Sequence, residues 1–245
     1  PHLADFQSAV FHPLNLLLHF VEAKKATALF LVVHLLLSGI FLYLFLMRLK
    51  IGPAGALIGA ISFIFNAYFA TYIGHPVHIS TGCWIPLILL LVADGLGGRR
   101  ALILPAAVGL MILGGFPQTI LYTLMISGAW AIFLWWGSPA GEKLRGAGRL
   151  VMLGLLMAIA FGLVLFQLLP TAEFGSHSER QAIDLETILE KHQPSPYSAI
   201  RMVLPDFYGN PVSENYWLRA VEGPLPHPND LGFIGYGGII PLILA

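Results

Sequence analysis

"TALFLVVHLLLSGIFLYLFLM", residues 27–47, decides the fold. It carries no charged side chain, and His34 is the only ionisable imidazole inside it. At about 1.5 Å of rise per residue, a helix of this length crosses the ~30 Å hydrocarbon core of a bilayer. Hydrocarbon offers the backbone no hydrogen-bond partner, so such a run folds as a helix, not as an open strand.

Working outward, similar apolar runs lie at 54–73, 79–93, 101–116, 119–136 and 150–169, and another begins near Phe233. The composition agrees with this reading. Of 245 residues, 57% are hydrophobic and 11% are charged, about half the charged share of a soluble domain. Mean hydropathy is +0.77. The expected class is an all-α polytopic membrane protein, with six complete spans and the start of a seventh. Net charge is zero, which removes the electrostatic case for a nucleic-acid partner. The single cysteine, Cys83, excludes an internal disulfide. The chain begins at Pro1 and stops inside the apolar stretch 239–245, so it is expected to be a piece of a longer protein.

Alternate connections differ in charge. Arg48, Lys50, Arg99, Arg100, Lys143, Arg145 and Arg149 lie in one set, with Asp94 and Glu142 as its acids. The positive-inside rule puts this set in the cytoplasm, against the weak opposition of Lys24 and Lys25. The other set holds the remaining acids and every histidine except His34. Four regions follow: an outer interfacial or re-entrant segment (1–26), a six-helix bundle (27–169), an extracytoplasmic loop (170–233) and the start of a further span (234–245). The long loop carries nine acids against four bases. Its aromatic residues, Tyr208 and Trp217 among them, argue for structure over disorder. Ser178 with Gln181 resembles a capping box, and Pro196 suits the start of a short helix.

Two outer connections look alike. "IGHPVH" (73–78) and "GGFPQT" (114–119) each place proline and polar side chains between helices. The spans they join are short, so both are expected to lie below the membrane surface, where irregular backbone lines a cavity or is buried by protein. His75, His78 and Gln118 would then form the floor of a recess opening outward. A structural turn or interface role is the alternative for each. His34, Asn66 and Gln167 read as polar contacts between helices before they read as chemistry. No HExxH motif or cysteine cluster is present, so no cofactor is required by the sequence; a divalent metal held by the histidines and an acid is the one candidate.

The stretches "PHLADFQSAVFHPLNLLL" (1–18), "GHPVHIS" (74–80), "QLLPTAEFGSHSER" (167–180), "LPDFYGNP" (204–211) and "YGGIIPLILA" (236–245) occur in order over essentially the whole chain. In them the sequence resembles the YfhO-like family of bacterial membrane proteins. The resemblance implies a GT-C type glycosyltransferase. Its expected donor is a polyprenyl-phosphate-linked sugar, and its expected acceptor a cell-envelope polymer such as a teichoic acid, reached from the membrane's outer face. It further implies an essential acid in the first outer loop, within which this chain begins.

Sugar transfer from a lipid phosphate needs a carboxylate to take the acceptor proton and donors to hold the departing phosphate. Asp5, Glu173 and Asp206 are the carboxylates in the resembling motifs. Arg180 and Arg201, with Arg219, are the outer arginines able to grip phosphate through two parallel bonds. Tyr208 and Asn210 are candidates for sugar contact. For Asp206 and Asn210 a turn role in "PDFYGN" is the alternative, and for Arg180 a solvated pair on its own helix. A transporter or lipid-carrier flippase, and a non-catalytic membrane assembly subunit, are the competing functional readings.

Overall fold

The computed structural model describes residues 4–96, 98–177, 200, 204, 207–209 and 217. Among them every regular element is helical. Two compact units are distinguished: 1–64 with 73–176, and 65–72 with 177–245.

The first unit opens with a single 3-10 turn, Phe6–Ser8, and a short helix α1 (Pro13–Leu18). Then follow α2 (Ala23–Arg48) and α3 (Pro53–Ile64). The second unit contributes α4 (Ala67–Thr71), and the first resumes with α5 (Pro76–Gly82) and α6 (Ile85–Ala93). The order ends with α7 (Ile103–Leu113), α8 (Pro117–Trp136), α9 (Lys143–Leu163) and α10 (Leu165–Ser176). Several starts have one cause. Pro13, Pro53, Pro76 and Pro117 are first residues of helices, where the missing N–H would have no intrahelical partner and the fixed φ suits the turn.

Among the described residues, five helical stretches are long and apolar enough to cross a membrane: Ala23–Arg48, Pro53–Thr71, Pro76–Ala93, Pro117–Trp136 and Ala140–Leu163. Two expectations change in detail. The run at 101–116 forms a shorter helical stretch, Arg100–Leu113, because Gly114 and the left-handed Gly115 end it early. The run at 150–169 is displaced toward the amino end. Its helix starts at Lys143, since long basic side chains can extend away from an apolar helix without stopping it. It then breaks at Val164, and α10 continues with Pro170 in its interior.

Burial on α2 is the reverse of a water-soluble helix. Phe30, His34 and Ser38 are buried, whereas Leu29, Val32, Leu36, Ile40 and Leu44 are exposed. At helical spacing these residues form one inward stripe bearing the polar groups and an apolar face turned outward. Toward the interior, α2 packs on α3, α5 and α6, and α7 packs on α9. Ile88, Leu104, Val108, Met111 and Ala160 are fully buried where these helices meet.

The basic connections gather at one end of this unit. Asp94 accepts from Arg48 Nε at 2.6 Å and from Arg100 Nη1 at 2.7 Å. Arg48 also donates to the Ala93 carbonyl at 3.1 Å. One carboxylate thereby ties the end of α2 to the end of α6. Both arginines are largely exposed, so solvent and salt weaken the clamp. Asp94→Asn is expected to cost about 1 kcal/mol. Thermal melting in detergent at low and high salt checks this, the gap from wild type narrowing as salt rises.

Candidate functional site

At the opposite end of the first unit, three stretches of chain meet. Ser80 Oγ on α5 donates to the Gly114 carbonyl at 3.1 Å. The Phe116 N–H donates to Thr81 Oγ1 at 3.2 Å. The two similar proline connections are therefore stitched to each other by side-chain hydroxyls one turn beyond the histidines. The third stretch is the 3-10 turn near the amino end. Gly115 has φ +91°, and a Cβ placed on it would lie 2.5 Å from the Phe6 carbonyl oxygen. Only glycine allows that approach.

Each candidate residue takes its place on this frame. His75 is the residue just before α5, makes no side-chain hydrogen bond that caps the helix, and is exposed. His78 is buried one turn later, its ring 3.8 Å from that of Phe116 and 6.0 Å from that of His75, centroid to centroid. Gln118 is exposed and donates to Tyr122 Oη at 2.9 Å along its own helix. The contact that joins the second connection to the histidines is Phe116, which sequence reasoning missed. Its signal was the matching position of His75 and Phe116, each directly before a proline.

Asp5 is exposed and accepts the Gln7 N–H at 3.1 Å, capping the 3-10 turn that lies against Gly115. Glu173 is exposed on α10, a helix that packs against that same turn. Asp206, Arg180, Arg201 and Asn210 lie outside the described residues, as do the capping box at Ser178, the helix at Pro196 and the span near Phe233. Within the second unit, Tyr208 is buried in a turn and its carbonyl accepts the Trp217 N–H at 2.9 Å. Its ring packs on those of Phe207 and Trp217. Asn66 caps α4 by accepting the Phe69 N–H at 2.8 Å. Gln167 is buried on α10 and donates to Thr171 Oγ1 at 3.1 Å.

A cavity of about 780 Å3 opens beside this assembly. That lies within the ~300–1,000 Å3 range of ligand sites. Its wall includes Gln7 and Ser8, which follow Asp5, and Pro76 and Val77, which separate His75 from His78. The remainder is mostly apolar surface from α1 and the start of α2, including Leu16, Leu18 and Phe30, with Asn15 and His19 among it.

A buried histidine pair stands behind that wall. His12 and His34 are both almost wholly enclosed, their Nε2 atoms 3.4 Å apart. His34 Nδ1 is 2.7 Å from the Phe30 carbonyl, which makes Nδ1 the protonated nitrogen of that ring. His12 Nδ1 has no partner among the described residues. Burial, aided by repulsion from His34, pushes the His12 pKa down to about 3. The segment around His12 is therefore anchored on α2 through imidazole, beyond the interfacial contact expected of it. Its signal was the inward stripe of α2, on which His34 falls midway between Phe30 and Ser38.

Among the described residues, no three histidine, cysteine, aspartate or glutamate side chains gather to hold a metal. No family model matches the chain, and no curated protein or solved structure matches it either.

Proposed function

We propose that the chain is part of a GT-C type membrane glycosyltransferase. It would transfer a sugar from a polyprenyl-phosphate carrier to a cell-envelope acceptor such as a teichoic acid. In this reading the protein lies in a bacterial plasma membrane. Its basic end is cytoplasmic, and the cavity end and the 170–233 loop face outward. The observation that carries the proposal is the cavity between the amino-terminal segment, α2 and α5. Apolar walls suit a lipid chain, and residues flanking the candidate groups Asp5, His75 and His78 form part of its edge. A lipid-phosphate donor needs that combination of an apolar groove beside polar groups.

The proposed chemistry needs a base, donors for the phosphate and contacts for the sugar. One of Asp5, Glu173 and Asp206 takes the acceptor hydroxyl proton as the new glycosidic bond forms. The bond from the anomeric carbon to the phosphate oxygen breaks, and the polyprenyl phosphate leaves with the electron pair. Arg180 and Arg201 stabilise that phosphate, with His75 and His78 as further donors. Tyr208 and Asn210 contact the sugar.

The test uses the full-length protein in membranes with a radiolabelled polyprenyl-phosphate sugar. Asp5→Asn, Glu173→Gln, Asp206→Asn and His75→Ala are compared with wild type at matched expression. One carboxylate variant is expected to lose transfer by about 10²- to 10⁴-fold while still binding the donor. No transfer by wild type, with labelled lipid moving between leaflets, would sink the transferase reading. A lipid-carrier flippase would take its place. One feature favours that second reading: Pro76–Ala93 is a discontinuous span, broken between α5 and α6, as transporter helices are at their binding sites.

A further inference from the structure

A second cavity, of about 150 Å3, lies at the basic end, between the carboxyl ends of α6 and α8 and the start of α9. Leu134, Leu150 and Ala131 supply apolar wall, and Gly95, Ser138 and Arg149 the polar part. The guanidinium of Arg149 lies over Gly95. A Cβ on that glycine would come within 3.2 Å of Arg149 Cζ. Gly95 and Leu96 are both left-handed, at φ +79° and +55°, so the chain turns sharply beneath the arginine.

The neighbouring charges are already engaged. Both oxygens of Asp94, the residue before Gly95, are taken by Arg48 and Arg100. Lys143 donates to the Trp135 and Trp136 carbonyls at 2.9 Å and 2.6 Å, closing the end of α8. Ser138 Oγ donates to the Leu134 carbonyl, and Trp135 Nε1 to the Lys143 carbonyl. Among the described residues no carboxylate pairs with Arg149. An exposed arginine thus lines this cleft together with the apolar side chains of Leu134, Leu150 and Ala131.

We propose that this cleft binds a phosphate group, carried by an anionic lipid headgroup or by a soluble phosphate ester. Arg149 grips the phosphate through its planar fork. Basic pockets between membrane helices hold acidic headgroups in this way, and the apolar wall accommodates the glycerol and first methylenes of a lipid. The site stands at the end opposite the sugar-transfer cavity and does not depend on that chemistry.

The test is thermal melting of the full chain in phosphatidylcholine nanodiscs, with and without phosphatidylglycerol, and with soluble glycerol phosphate in a separate arm. Arg149→Gln and Arg149→Lys are compared with Arg145→Gln, an exposed charge one turn earlier on the same helix. Phosphatidylglycerol is expected to raise the midpoint of wild type and Arg145→Gln by about 5 °C. The rise should vanish in Arg149→Gln and shrink in Arg149→Lys. Protection by glycerol phosphate at similar strength would support the cleft and identify a soluble ester as its ligand. Equal losses in Arg145→Gln and Arg149→Gln would overturn the proposal in favour of diffuse surface charge. So would the absence of protection from either phosphate source.

Discussion

Gly115→Ala is expected to lower the stability of the protein by about 3 kcal/mol. Two effects add. Gly115 has φ +91°, a conformation that costs a residue bearing Cβ about 1–2 kcal/mol. The new methyl would also meet backbone, the Phe6 carbonyl oxygen at 2.5 Å and Gln7 Cα at 3.3 Å, neither of which can swing aside like a long side chain. Relief would require the 3-10 turn to lift from the second proline connection. The loss should appear in thermal or SDS-induced unfolding. Gly148→Ala is the control, because a Cβ there meets nothing within 4 Å. Equal melting of Gly115→Ala and wild type would rule out the close approach of these two segments.

The second large effect is a dependence of stability on acidity. The His12 imidazole titrates near 3 in the folded protein, against about 6.5 in an unfolded chain. Between those values the unfolded state holds a proton that the folded state refuses. Stability therefore rises with pH across this window, levels off above about 6.5, and is lost as the solution is acidified. The slope contributed by this group reaches at most about 1.4 kcal/mol per pH unit. The groups facing His12 are His34 and the Phe30 ring, both on α2. Melting midpoints should stay level from pH 8 to about 6.5 and fall between there and pH 5 for wild type, and that fall should be shallower for His12→Asn. A flat wild-type profile, or an unchanged slope in the variant, would contradict the enclosure of this pair.

The helices were legible because the bilayer sets their length and chemistry in advance. An apolar run such as 27–47 can satisfy its backbone only internally, whereas Pro76 and Pro117 open their helices three and two residues before the apolar runs at 79–93 and 119–136 begin. The end of the helix at Leu113 was harder to place, because residues 101–116 are apolar throughout and only the left-handed Gly115 stops them. The break at Val164 has no proline to announce it. At the candidate site, the likeness of the two proline connections was visible, but the bonds joining them were not. Those bonds run between residues 34 and 35 positions apart, a separation that periodicity does not reach. The His12–His34 pair was hidden for the same reason, each ring looking alone like an ordinary polar intrusion. Gln118 shows the converse. Its position suggested a shared recess, and a bond to Tyr122 within its own helix satisfies it locally.

The enclosure of Pro76–Ala93 bears on how the protein is made. Just over half of this stretch (56%) is buried inside the protein, against 22% for Ala23–Arg48. Ser80 and Thr81, wholly buried in the finished fold, are bonded to Gly114 and Phe116, which the ribosome adds more than thirty residues later. Until those residues emerge, α5 would face lipid with two hydroxyls lacking their eventual partners. If these stretches span a bilayer, Ala23–Arg48 is expected to settle there by itself, and Pro76–Ala93 to wait at the insertion machinery for the chain that covers it. Nascent chains halted before Gly114 should therefore stay in contact with that machinery, and those extended past α8 should be released.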